Sequence, residues 1–220
     1  MVSEQIIISQ YNIAKQKFPK LGTLTRSGEA WEIIGVIDVI DDEGSYWDSY
    51  DVKIVIPEEF PEQLFELHEI GNKIPKVPEW HNSGSCCLST NAVMFMKLAD
   101  NLTLLNWLEL FAHPFLANHV YKVKTGTYAN GEFEHFELGI IQGYFEVFQA
   151  SDELEVVEKL RLLTGRKDTS RNALCFCNSG KKYKRCYLVN PSGHSPGIPI
   201  SVLQKDLSQI LNYMRKRNST

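Results

Sequence analysis

Cysteine carries most of the chemistry open to this chain of 220 residues, which has five of them. Cys86 and Cys87 stand side by side after His81, Asn82, Ser83, Gly84 and Ser85. Glycine and serine there suit a turn better than a core strand. A thiol on such a turn can hold a carbonyl as an activated ester and pass it to an amine, because the thiolate is a good leaving group. A free thiol has a pKa of about 8.5, so only a few per cent is ionised near neutrality. Such a site needs a positioned sulfur, a donor for the developing oxyanion and a route for the amine rather than a strong base. The other three cysteines, Cys175, Cys177 and Cys186, have metal-ligand spacing. Two cysteines two apart can grip one ion from an extended turn, Ser179-Gly180 permits a reversal, and Cys186 closes from the other side. Thiolates at about 2.3 Å favour zinc in a closed tetrahedron.

The elements that would position these groups follow from the apolar pattern. Ile7, Tyr11, Ala14 and Phe18 fall on one face of a helix that Pro19 ends. Trp31 to Asp41 reads as a strand apolar on both faces, hence mid-sheet. Asp41-Asp42-Glu43-Gly44 is a hairpin signal, and Tyr46 to Ile56 the next strand, with Tyr50, Val52, Ile54 and Ile56 alternating. Pro57 and Pro61 frame a rigid turn around Phe60. Leu64 to Ile70 is a third strand candidate, and Gly71-Asn72 a turn. Leu104 to Ala112 is an apolar helix. Pro114 pushes His113 out of helical geometry and opens a second helix. Phe136 to Phe148 is a third helix. Near residue 150 the character changes. Ser151-Asp152 starts a helix with Leu154, Val157 and Leu160 as its stripe, and 165–172 is linker-like. Ser201 with Gln204 forms a capping box before an amphipathic helix through Leu203, Leu207, Ile210, Leu211 and Met214, which must pack on the core or on a partner.

Composition is that of an ordinary globular protein. A net charge of -4 gives no electrostatic reason to bind nucleic acid or anionic lipid. The basic run Lys181 to Arg185 is local and lacks interleaved aromatics on a larger basic surface. No apolar run approaches the roughly 18–20 residues of a membrane span. The N-terminus lacks the basic and apolar regions of a secretory signal, and an odd cysteine count in adjacent or metal-like spacings does not suggest a disulfide framework. A reducing cytoplasm is the expected location.

The stretch Tyr50 to Leu88, YDVKIVIPEEFPEQLFELHEIGNKIPKVPEWHNSGSCCLS, resembles the ubiquitin-conjugating enzyme core. In that family a strand leads into an aromatic-proline turn, and a histidine-proline-asparagine segment precedes a glycine and a Cys-Leu pair. HPFLANHVY, GxxxNGEFEH and GIIQGYFEVF resemble divergent bacterial members of the superfamily. The resemblance implies an α+β ubiquitin-conjugating (UBC-like) fold, an antiparallel sheet flanked by helices, over residues 1–150. A helix and linker at 151–172 and a small C-terminal knuckle with a helix at 173–220 complete the chain. It places the nucleophile before leucine, which selects Cys87 and gives Cys86 the role of a small buried hydrophobe. Both cysteines could instead be buried and inert. His81-Asn82 occupies the place of the family's histidine and asparagine, without the proline and only six residues before Cys87. Either Asn82 donates to the oxyanion, or His81 and Asn82 only organise the turn. His113 corresponds to a downstream histidine thought to supplement such sites, as base or oxyanion donor. It could equally satisfy a core helix. His119 and His135 are lesser candidates, and Asp100 and Asn101 could line an exit or cap a helix.

CFCNSGKKYKRCY resembles the SEC-C motif, a short zinc-binding knuckle. This implies structural zinc on Cys175, Cys177 and Cys186. Tyr187 stands where the motif has cysteine or histidine, and His194 is the candidate fourth ligand. The ubiquitin-conjugating resemblance implies a cysteine transferase that carries a protein C-terminus as a Cys87 thioester and passes it to an amine. Its setting would be bacterial anti-phage (CBASS) signalling, with a cGAS-like nucleotidyltransferase C-terminus or a ubiquitin-like protein as donor. No ATP-binding motif is present. Two other functions remain open: a catalytically silent interaction module docking a partner through knuckle and terminal helix, and a Cys-His thioester or isopeptide hydrolase. The hydrolase would need an imidazole that ionises Cys87.

Overall fold

The computed structural model describes residues 2–129, 134–165, 172, 174, 180–185 and 197–217. They form two compact units: Met1–Ser89 with Asn101–Glu132, and Thr90–Asp100 with Phe133–Thr220.

The first unit is α+β. Helix α1, Glu4–Lys17, buries Ile7, Tyr11 and Ala14, the face expected from their spacing. Its acidic first turn and basic last turn complement the helix dipole. Four strands follow as an antiparallel meander in the order β1-β2-β3-β4: Leu24–Ser27, Ala30–Ile40, Tyr46–Ile56 and Glu66–Glu69. Ile33, Ile37 and Val39 on β2, Tyr50, Val52, Ile54 and Ile56 on β3, and Leu67 on β4 are buried on the inner face. Register follows this alternation: Ile33 faces Ile54, which faces Leu67. The Asp41 turn between β2 and β3 is tightly tied. Its Oδ1 accepts the N–H groups of Glu43 and Ser45, and its Oδ2 accepts the Trp47 indole N–H. These bonds hold the carboxyl below its usual range. Phe60 is buried and stacks on Phe65, whose edge meets the fully buried Trp107.

Helix α3, Leu104–Trp107, passes through a π turn, Leu108–Ala112, straight into α4, His113–Thr125. His113 is helical at φ -63° and ψ -47°, so the expected break before Pro114 does not occur. The π turn explains why. The His113 N–H bonds back five residues to the Leu108 carbonyl, and this widened turn relieves the clash that a proline ring normally makes with the carbonyl four residues earlier. α4 lies against β2 and β3, and Gly126 ends it in the left-handed conformation.

The second unit is mainly helical among its described residues, with one isolated antiparallel bridge between Leu174 and Lys182. α2, Asn91–Leu98, is capped by Thr90, whose Oγ1 accepts from the Val93 N–H. α5, Phe136–Phe148, α6, Glu153–Gly165, and α7, Ile200–Arg217, complete it. Asp152 caps α6 through the Glu155 N–H, as the sequence indicates. α7 begins one residue before Ser201, with the Pro199 carbonyl receiving its first bonds, so Ser201 lies in the first turn and not at the cap. α7 packs on α5 and α6, and the Tyr144 hydroxyl on α5 donates to buried Asp206 on α7 at 2.9 Å. Desolvation raises the Asp206 pKa.

Gly35 lets the segment Lys20–Gly22 run against β2, where the Val36 N–H bonds to the Lys20 carbonyl. A Cβ there would lie 2.7 Å from Leu21 Cα and from the Lys20 oxygen, besides meeting the Gly22 nitrogen. Backbone cannot yield as a side chain can. Gly35→Ala is therefore expected to lower unfolding free energy by about 1–3 kcal/mol, read from urea melts. A loss under about 0.5 kcal/mol, the usual range of a neutral surface change, would show that this approach is not tight.

Candidate functional site around Cys87

Beyond β4 the chain crosses a short 3-10 turn, Pro78–Trp80, and enters the loop that ends in the two cysteines. His81 turns it sharply, at φ 50°. Asn82 and Cys86 then pair as an isolated antiparallel bridge around Gly84 at φ 117°, a value that favours glycine. Backbone and side-chain hydrogen bonds pin this loop. The Cys86 N–H donates to the Leu67 carbonyl of β4 at 2.7 Å, and the Cys87 N–H donates to the His81 carbonyl at 2.7 Å. Asn82 is fully buried; its Nδ2 donates to the Ile74 carbonyl, and its Oδ1 accepts the Gly84 N–H. His68 on β4 reaches across, with Nδ1 3.0 Å from the Gly84 carbonyl and Nε2 3.1 Å from Glu66 Oε2.

The two thiols part company here. Cys86 is buried, and desolvation pushes it up to about 12. Cys87 is exposed at the surface, yet enough chain surrounds its sulfur that desolvation raises this thiol too. Desolvation favours the neutral thiol, which disfavours an ionised thiolate-imidazolium pair at Cys87.

The other candidates fall in several places. The His81 ring lies 5.5 Å from the Tyr128 ring. His113 is not brought to the thiol. Its Nε2 accepts from the Ile40 N–H at 3.4 Å, and its ring lies against Phe18. Ile40 is seven residues along β2 from Ile33, whose register leads to Leu67 beside Cys86. At ~3.3 Å per residue that is on the order of 20 Å. The Asn101 carbonyl holds Asn106 Nδ2 and the Thr103 N–H at the start of α3, whereas Asp100 and His135 belong to the second unit. His68 was not among the sequence candidates. Only its place on a strand beside the loop, two residues from Glu66, could have flagged it.

His119 is more deeply engaged than its rank as a lesser candidate suggested. It is buried, with Nδ1 2.6 Å from the Tyr50 hydroxyl and its ring against Trp80, the residue before His81. It also lines an open cleft of about 280 Å³ with Trp47, Asp48, Tyr50, Lys73, Val120, Val123 and Lys124.

Comparison with known proteins bears on the other cysteines. Residues 171–186 match the SEC-C motif. That family binds zinc in general. The match spans Cys175, Cys177 and Cys186, and stops before His194. All four lie outside the described residues, and among the described residues no cluster of three or more His, Cys, Asp or Glu could hold a metal. No curated protein and no solved structure matches the chain. No helix among the described residues is long and apolar enough to cross a membrane.

Burial lowers the pKa of both His113 and His119 from 6.5. The unfolded chain therefore takes up these protons first. Their contribution to stability is complete above about 6.5 and is lost as pH falls through that value towards the folded pKa. Urea midpoints should drop between pH 7 and 5.5, and less steeply in His119→Gln. An identical slope in that variant would remove His119 as a source.

Proposed function

We propose that the first unit is a ubiquitin-conjugating-like acyl carrier with Cys87 as its nucleophile. The observation that carries this reading is the division of the adjacent cysteines, one sealed in the core and one exposed on a turn pinned by backbone bonds. In the proposed cycle Cys87 takes an acyl group from a thioester on a separate activating protein. Its Sγ forms the new C–S bond as the donor thiolate leaves, and the Cys87 proton goes to that thiolate. A substrate amine then attacks the same carbonyl, the Cys87 thiolate departs, and the amine loses its proton. Asn82 spends its amide on the loop, so a backbone N–H must serve the oxyanion. That of Leu88, which donates to no described carbonyl, is the nearest in the chain. The resemblance supplies the donor: the C-terminus of a cGAS-like nucleotidyltransferase in anti-phage signalling, or of a ubiquitin-like protein.

The hydrolase reading has less support, because an ionised Cys-His pair would need the Cys87 pKa lowered and it is raised. The silent-module reading draws on Asn82 and His113, whose side-chain bonds are spent away from the sulfur. One experiment separates these. Wild type, Cys86→Ala and Cys87→Ala are purified without reductant from cells carrying the native neighbouring genes, and intact masses compared. A protein-sized adduct on the first two, released by thiol and absent from Cys87→Ala, is expected. A bare mass on all three, with a partner copurifying, would give the protein to the silent-module reading. Separately, iodoacetamide should label Cys87 slowly at pH 7, with a rate still climbing at pH 9. Fast labelling below pH 7 would favour the hydrolase.

The SEC-C match supports zinc as a structural ion held by Cys175, Cys177 and Cys186; His194, which lies beyond the match, is the proposed fourth ligand. Zinc so bound is closed to substrate and contributes folding energy. Metal analysis should find one zinc per chain, lost in Cys177→Ser together with several degrees of thermal stability. Full zinc content in that variant would reject the assignment, and full content in His194→Ala would reject His194 alone.

A further inference from the structure

His68 on β4 reaches the tip of the loop that carries Cys87, and both of its ring nitrogens face acceptors. Nδ1 lies 3.0 Å from the Gly84 carbonyl oxygen, and Nε2 lies 3.1 Å from Glu66 Oε2. A carbonyl and an ionised carboxylate only accept. A neutral imidazole carries a single N–H, so it meets one of the two and turns a lone pair towards the other. The imidazolium donates to both at once. The two contacts are therefore complete together only for the charged ring.

The charged groups that face the ring come from two strands. Glu66 stands two residues away on β4. Lys53 faces His68 across the β3–β4 pair, and its ammonium is held 3.4 Å from Glu32 Oε1 on β2. On the loop side Ser83, Gly84 and Ser85 carry no charge, and all three are exposed. The base of the loop is fastened without His68, by the Cys86 N–H on the Leu67 carbonyl and by Asn82 on the Ile74 carbonyl. What His68 governs is the tip. Ser85 and Cys87 are both exposed, alternate residues on the outer side of one extended run, so a shift of the tip changes what covers the Cys87 sulfur.

We infer that His68 is a proton-linked positioning residue for the loop of Cys87: charged, it bridges Glu66 and the Gly84 carbonyl and fixes the tip; neutral, it keeps Glu66 and releases Gly84. The choice follows from acceptor strength. A bond to a carboxylate is roughly twice as strong as one between neutral groups, so the single proton of the neutral ring stays on Nε2. The Nδ1 lone pair then opposes the Gly84 oxygen, and that carbonyl turns to solvent, a movement that a glycine backbone permits. The chain around the Cys87 sulfur desolvates it. A freed tip admits water there and eases that penalty. The thiol thus gains reactivity as His68 loses its proton, over and above its own ionisation. The inference concerns the setting of the sulfur and holds whether or not Cys87 carries an acyl group.

The test uses the full chain between pH 5 and pH 8. Amide NMR follows Ser85, whose nitrogen belongs to the same peptide group as the Gly84 carbonyl, and ring NMR follows His68. The Ser85 amide should shift with the same midpoint as the ring. N-ethylmaleimide labelling, assigned to each cysteine by peptide mass, gives the second reading. His68→Phe has no donor at any pH. Its Cys87 should label about threefold faster than wild type at pH 5.5, the effect of one weak hydrogen bond, and at the wild-type rate at pH 8. Glu66→Gln should do the reverse. Its amide can donate to Nε2, the ring proton moves to Nδ1, and the tip stays tied. Ser85 then stops responding to pH, and at pH 8 Cys87 labels about threefold more slowly than wild type. An unlabelled Cys86 marks each variant as folded, and if His68→Phe exposes Cys86 the Glu66→Gln result decides alone. A Ser85 amide indifferent to the His68 titration, a His68→Phe ratio equal at both pH values, or a Glu66→Gln variant that behaves as wild type would overturn the assignment. Each of these results leaves the adduct on Cys87 to be decided by its own experiment.

Discussion

A single backbone hydrogen bond organises the region around the thiols. β4 is only four residues long and has β3 on one side, so the Leu67 carbonyl on its other side would be left unmet in a buried place. The Cys86 N–H meets it. That bond draws Cys86 against the sheet, and Asn82 opposite it is drawn in as well, where its amide answers the Ile74 carbonyl. Extended chain sends successive side chains to opposite sides. Once Cys86 faces inward, Cys87 must face out. Exposure of one thiol is therefore a consequence of satisfying one carbonyl, and His68 reinforces the arrangement from the strand next to it.

Both units also contain buried polar pairs built from a phenol and a second side chain: Tyr50 with His119 in the first, Tyr144 with Asp206 in the second. Each partner loses hydration on burial, and the tyrosine pKa values are both pushed upward for that reason. Apolar contacts alone would tolerate sliding of α4 along β3, or of α7 along α5. A buried hydroxyl with one acceptor in reach does not, because any shift strands both groups.

Much of this was legible in the sequence where local pattern and tertiary need agree. Tyr46–Ile56 is a strand because its alternation is the alternation of the sheet's two faces, and α1 buries the residues that its spacing singles out. Cys87 was singled out through Leu88, which the ubiquitin-conjugating resemblance places after the nucleophile, and it is the exposed one of the two thiols. What could not be read is whatever depends on distant partners. His119 and Tyr50 are 69 residues apart in sequence, and nothing local to either announces the other. His113 looked like a site residue because the resemblance matched it to a downstream histidine, but a sequence resemblance carries no information about which way a ring points. The start of α7 was misplaced because Pro199, which can supply a carbonyl cap, gives a weaker signal than Ser201 with Gln204. The SEC-C motif at residues 171–186 was legible in the pattern CFCNSGKKYKRCY.

The π turn at Leu108–Ala112 does more than make room for Pro114. Leu104 and Trp107 are buried before it, Leu108, Phe111 and Ala112 within it, and Leu116, His119 and Val120 after it. Within it the His113 N–H reaches back five residues to Leu108, where an α-helix reaches back four. One additional residue has been inserted into the helical count, and each residue of an α-helix advances the face by about 100°. The insertion is a phase correction. It keeps the seam on the sheet while exchanging which residues occupy it, and it is by this offset that His119 enters the wall of the cleft and its neighbour Asn118 does not.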